Sequence, residues 1–195
     1  IQNKTWAEVK NIRYKSCNQT IPSLKQVVDL IKHYNSSCYL QLDKTSDSEW
    51  ASILRSGLLK GMENRVIAKG LQFTPYNSLK GTQVKWMPIL PTKYVGKMNS
   101  EAVINEIANN LKGSDFCELQ FGLKDTLLLN GTLAKKCKEV GCGLLGIAVT
   151  GASTTNPNYL KSGWGDNETS WKKYFNEIGC IAVMTNYPNA LKKVL

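Results

Sequence analysis

Glu118 stands in FCELQF, residues 116–121, among apolar neighbours, and shares one strand face with Gln120. Glutamate is a poor strand former and is seldom buried without a partner. Two readings are open. Glu118 is a lumen carboxylate close to a substrate or metal, or it is the acid of an internal ion pair with Lys69 or Lys85. Lys69 closes the run VIAK and is a candidate phosphate contact. The chain's one histidine, His33, is not placed for acid–base work. Leu24, Val27, Val28, Ile31 and Tyr34 define the apolar face of its helix, and His33 falls on the opposite, solvated side.

The elements that must position these groups alternate from residue 38 onward. Strands are predicted at 38–43, 65–70, 83–90, 115–121, 144–151 and 180–185. Helices are predicted at 46–59, 99–113, 131–141, 169–179 and the final NALKKVL, with room for a short helix in PYNSLKG. Ser46 and Glu49 are spaced as a capping box, Asn99 opens the helix at 99–113 and Gly113 closes it. Trp171, Tyr174, Phe175 and Ile178 point inward from the helix at 169–179. Before residue 38 the segments 5–12 and 23–35 are helical, with no strand between them. Six strand-then-helix units in a row predict an α/β chain with a parallel sheet and helices outside it. A full eight-stranded barrel typically takes ~250 residues. The 195-residue chain therefore reads as one domain, 1–195, whose barrel is incomplete by about two strands at its front end.

Composition narrows the function classes. No run of 18 apolar residues is present, so no transmembrane helix is expected. The net charge of +10 comes from scattered helical pairs of basic residues. Such pairs are either ordinary solvated faces or a field for phosphate-rich partners, and no interleaved aromatic motif supports nucleic acid. Six cysteines form no CxxC, and one histidine leaves no zinc-ligand spacing. Cys38, Cys117 and Cys180 lie in apolar runs, where a thiol acts as a small hydrophobe. Sequons at Asn3, Asn18, Asn35, Asn130 and Asn167 hint at a secreted or surface-associated soluble chain. The first residue is Ile1, as expected of a processed product or a portion of something longer.

TWAEVKNIRYKSCNQTIPSLKQVVDLIKHYNSSCYLQLD, residues 5–43, resembles the middle of glycerophosphodiester phosphodiesterases in its order of helix, Ile-Pro helix and strand. The closing GCIAVMTNYPNAL resembles that family's last barrel strand and its Thr-Asp-Tyr-Pro ending. The resemblance implies a TIM-type (β/α) barrel with its site at the C-terminal ends of the strands. It implies hydrolysis of a phosphodiester to glycerol phosphate and an alcohol. It also implies a Ca²⁺ or Mg²⁺ ion held by carboxylates, and two histidines upstream of Ile1. On the family's Glu-x-Lys strand, Gln41 stands at the metal-binding Glu, Asp43 at the Lys, and Lys44 follows. Gln41 and Asp43 are thus the metal candidates, with Lys44, Lys69 and Glu118 the substrate-binding candidates. Gln41 carries no charge and is a poorer ligand for a hard cation than a carboxylate. Asn186 replaces the usual Asp of the ending, and IAVTGAST replaces a tryptophan-bearing strand, so an aromatic wall is lost.

Three functions stay open at this point. The chain is a phosphodiesterase-like module that binds a glycerophosphodiester or phosphate-rich polymer without hydrolysing it. Or it is part of an active hydrolase whose first strands lie outside this sequence. Or it is a structural or receptor-binding component of a phage or cell-surface assembly. Six units leave strand edges open, so another segment or chain is expected to complete the barrel.

Overall fold

The computed structural model describes residues 4–34, 37–122, 124–148 and 166–195. Its helices start where side chains can take up the first unpaired backbone N–H groups. Thr5 with Glu8, Ser23 with Gln26 and Ser46 with Glu49 form capping boxes at the starts of α1 (Trp6–Val9), α2 (Leu24–His33) and α3 (Asp47–Arg55). The helix after the third strand, α4 (Glu101–Asn110), begins one residue later than expected, with Ser100 and not Asn99 as its first flanking residue. Two short helices follow, α5 (Thr126–Leu129) and α6 (Thr132–Glu139). Then comes α7 (Glu168–Lys173), which runs into a single π turn at Tyr174–Ile178. The last is α8 (Pro188–Leu191).

All six predicted strands form, in chain order: β1 (Leu40–Leu42), β2 (Val66–Gly70), β3 (Lys85–Pro88), β4 (Phe116–Glu118), β5 (Gly143–Ile147) and β6 (Ala182–Met184). They make two parallel three-stranded sheets, β1-β2-β3 and β4-β5-β6. A single parallel bridge, Ile89 to Glu118, joins the two, with the Leu90 N–H donating to the Glu118 carbonyl at 2.9 Å. The result is a mixed α/β fold of barrel type that does not close: among the described residues β1 pairs with β2 alone and β6 with β5 alone. The extension of β5 to residue 151 lies outside the described residues, as do Asn3 and Asn35.

The core splits at the same seam. Val28, Trp50, Leu59, Met62, Val66 and Trp86 pack between the first sheet and its helices. Leu90, Ile107, Leu119, Leu133, Leu144 and Tyr174 belong to the second, larger cluster. Each cluster presses an aromatic ring onto a strand glycine, Trp86 onto Gly70 and Tyr174 onto Gly146, where a Cβ would collide with the ring. Trp86 Nε1–H then donates to the Phe73 carbonyl at 2.8 Å, and the Tyr174 hydroxyl to the Ile147 carbonyl at 2.7 Å, so both polar tips are satisfied. Cys117, Cys137, Cys142 and Cys180 are buried, whereas Cys38, expected among them, is exposed. Burial pushes the Cys117 thiol well up and those of Cys137, Cys142 and Cys180 up to about 12, so all four act as neutral hydrophobes. Tyr34, expected on the apolar face of α2, is instead 71% exposed, because α2 buries only the side carrying Val28.

Candidate functional site

Strand register decides which side chains meet. Gln41 is level with Ile67, and Ile67 with Lys85; Leu42 is level with Ala68, and Lys69 with Met87. Continuing that ladder places Asp43 beside Lys69 at the C-terminal ends of β1 and β2. The Ile89–Glu118 bridge brings Glu118 to the same end from β4. Alternation turns Gln41, Asp43, Ile67, Lys69 and Met87 to one face, while Leu42, Ala68 and Trp86 turn to the helices.

The Lys69 ammonium lies 2.9 Å from Glu118 Oε2 and 3.1 Å from Asp43 Oδ2. The side chains of Lys69 and Glu118 are only 8% and 5% exposed, whereas Asp43 is 46% exposed. The other Asp43 oxygen accepts the Lys44 backbone N–H at 2.8 Å, and Lys44 itself adopts a left-handed φ of 55°. The chain thus turns sharply at the end of β1, and Lys44 is exposed there. Burial pushes the Glu118 carboxyl up from its ordinary range, Lys69 pulls it partly back, and the charge of Asp43 adds to the rise. Burial by itself lowers the Lys69 pKa, but Glu118 and then Asp43 outweigh it and hold the ammonium above its usual 10.5. Lys85, the other partner considered for Glu118, pairs with Asp115 at 3.0 Å near the opposite end of the strands.

Gln41 sits one layer below this cluster, half-buried and level with Lys85 through Ile67. His33 is exposed on α2, edge-on to the ring of Tyr34. As for a divalent cation, Asp43 and Glu118 are suitable oxygen donors, but the Lys69 ammonium already bridges them. Among the described residues no three His, Cys, Asp or Glu side chains gather to hold a metal ion. These residues by themselves do not fit Ca²⁺ or Mg²⁺, and no chemical step is derived through either.

Two buried carboxylates escaped the sequence reading, and both fix loops at this end of the molecule. Asp125, fully buried, accepts the backbone N–H groups of Gly96, Met98 and Gly122 at 2.9, 2.8 and 2.6 Å. It ties the segment after β3 to the segment after β4. Asp166 Oδ1 accepts from Trp171 Nε1 at 2.8 Å and from the Thr185 hydroxyl at 2.6 Å, and Oδ2 accepts the Asn186 N–H at 2.7 Å. The Thr-Asn-Tyr-Pro ending is therefore a turn pinned through the backbone of Asn186, whose own side chain is not part of that bond. The only signal of either anchor was an Asp close before a helix, at Asp125-Thr126 and Asp166-Asn167.

With this geometry in hand, the chain can be set beside known proteins. A crystal structure from Galdieria sulphuraria described as a "putative glycerophosphodiester phosphodiesterase" superposes with a TM-score of 0.66 at 16% identity, covering 98% of this chain and 70% of that one. The two share a fold. At that identity the likeness speaks for architecture and not for activity. No protein-family model and no curated protein matches the sequence. The resemblance drawn from residues 5–43 and from the closing motif points to the same architecture.

Proposed function

We propose that the chain is a glycerophosphodiester phosphodiesterase-like domain that binds a phosphodiester, or a phosphate-rich polymer, at the C-terminal ends of its strands and does not hydrolyse it unaided. The observation that carries this reading is the Lys69 ammonium, fixed at the end of β2 by Asp43 and Glu118. An ammonium has three donors. One donates to Asp43 while the ammonium keeps ion-pair contact with Glu118, which leaves donor capacity for a phosphoryl oxygen arriving over exposed Asp43. Lys44, next to that approach, supplies a second positive charge. Asp43 and Glu118 keep Lys69 cationic and oriented, which makes them positioning residues for that contact. Hydrolysis would further need an acid for the leaving alkoxide and a base for water. The sole histidine, His33, is exposed on α2 with its ring edge-on to Tyr34.

Isothermal calorimetry with glycerol 3-phosphate and glycerophosphocholine tests the reading. Binding that Lys69→Met abolishes and Lys44→Ala weakens is expected, with no release of choline in the presence of Ca²⁺ or Mg²⁺. Turnover by the 195-residue chain that EDTA stops would replace this reading with that of a metal-dependent hydrolase. The hydrolase reading gains some weight from the matched structure, of which three-tenths lies outside the superposed part.

A further inference from the structure

Three sequons lie in the described residues: Asn18-Gln19-Thr20, Asn130-Gly131-Thr132 and Asn167-Glu168-Thr169. The asparagine is exposed in all three, but the three side chains are engaged differently. Arg13 Nη1 donates to Asn18 Oδ1 at 3.0 Å and to the Asn18 carbonyl at 2.6 Å, while Thr20 faces Arg13 across an antiparallel bridge. Asn167 flanks the start of α7, and its Oδ1 accepts the Ser170 N–H at 3.1 Å. Both oxygens are committed to a partner outside their own tripeptide. Asn130 turns back on its own threonine instead. Its Oδ1 accepts the Thr132 hydroxyl at 2.7 Å and the Thr132 N–H at 3.1 Å. Packing fixes that turn. Gly131 has a φ of 79°, and a Cβ there would sit 2.9 Å from the Glu177 carbonyl oxygen, which selects glycine for the middle position. Gly131 is buried and Asn130 is exposed, so the turn is seated on the protein with its asparagine on the outside.

We infer that Asn130 is a site of N-linked glycosylation, and that of these three sequons it is the one most fully occupied. An amide nitrogen is a poor nucleophile because its electron pair is shared with the carbonyl. Hydrogen bonds from the Thr132 hydroxyl and N–H stabilise the charge that gathers on Oδ1 as an N–H proton leaves, and so free the nitrogen's pair for attack. The co-substrate is an oligosaccharide carried on a lipid diphosphate. The bond from Asn130 Nδ2 to the anomeric carbon of the sugar forms, and the bond from that carbon to the diphosphate oxygen breaks. The lipid diphosphate leaves with the electron pair, and the amide proton passes to a base of the transferring enzyme. The bonds that prepare Asn130 span three residues, so the nascent chain forms them without the rest of the fold. The folded protein then carries the sugar on an exposed side chain between α5 and α6. The inference is independent of the phosphodiester reading.

Peptide mass spectrometry on the protein isolated from its source tests it. N-glycans are first removed enzymatically in heavy-oxygen water, which turns each asparagine that carried one into a labelled aspartate. Label at residue 130, in a larger fraction of molecules than at residue 18 or 167, is expected. The reading is made on denatured peptides of the parent chain, so it does not depend on a variant folding. In chain secreted by a glycosylating expression host, Asn130→Gln and Thr132→Ala are each expected to lose one glycan from the intact mass. Thr132→Ser is expected to keep it, and Asn18→Gln and Asn167→Gln to leave residue 130 labelled. An unlabelled residue 130 in the source protein overturns the inference, as does a smaller labelled fraction there than at residue 18 or 167. A glycan that stays on residue 130 in Thr132→Ala overturns it as well.

Discussion

The two three-stranded sheets follow the same plan with different interiors. On the face away from its helices the first carries charge: Lys69 and Lys85 lie there, and Asp43 stands at its end. The second carries one charge on that face, Glu118, and it gives that charge to the first sheet. Its outer core is larger and holds all four buried cysteines. Its polar anchoring is displaced to the loops, where Asp125 and Asp166 grip backbone N–H groups. One half holds its shape through loop anchors and apolar packing, while the other carries most of the charged side chains on the inner face. The candidate site lies at their seam, where Lys69 of the first half meets Glu118 of the second.

Removing a loop anchor in the second half should have the largest effect. Asp125→Ala leaves three N–H groups without an acceptor, that of buried Met98 and those of half-buried Gly96 and Gly122, and urea unfolding should record a loss of about 4 kcal/mol. If Asp125→Ala proves mild, the loops are not what holds that half. Next comes Lys69→Met, which strands Glu118 in the interior and should cost about 3 kcal/mol. Combining it with Glu118→Leu should recover most of that loss, since neither charge is then buried alone. Asp166→Asn keeps the shape but removes the charge that gathers Trp171, Thr185 and Asn186. A loss of about 2 kcal/mol is expected there.

The pH dependence separates the halves more finely. Glu118 holds its proton more tightly folded than unfolded, so its contribution to stability falls as pH rises above 4.5, through the raised folded value. Lys69 is also raised, so its contribution is complete below 10.5 and is lost as pH climbs through its folded value. Glu118→Gln should flatten the first slope and Lys69→Met the second, read from unfolding midpoints across pH. The smallest expected change is a gain: Lys69→Met frees two carboxylates, and Ca²⁺ should then raise the Tm of the variant while leaving the parent unmoved.

How much of this was legible beforehand follows from what each feature depends on. The six strands and the capping box at Ser46 are local and periodic, and the sequence exposes local periodicity directly. The choice between site and ion pair for Glu118 was not legible, because it turns on which of two lysines register brings within 3 Å. Asp125 and Asp166 were missed for a related reason. Asp125 is met by backbone groups up to 29 residues away, and Asp166 by the Asn186 N–H 20 residues on, and backbone groups leave no mark in composition. Tyr34 was misplaced because helical spacing gives a stripe but not how much of it a neighbour covers.

The single bridge between Ile89 and Glu118 has a mechanical side. Elsewhere neighbouring strands share ladders of three or four residue pairs, which resist shear together. Between β3 and β4 that load falls on one bridge, on Asp115, whose N–H donates to the Trp86 carbonyl at 3.0 Å and whose carboxylate accepts the Trp86 N–H at 2.9 Å and pairs with Lys85, and on Lys69 with Glu118. Pulled from its two ends, the row should tear first along this line, and the buried ion pair would act as its latch. The groups that prepare the candidate site for a ligand are then also the rivet between two half-barrels, so an anion that drew Lys69 away from Glu118 would loosen the joint it binds.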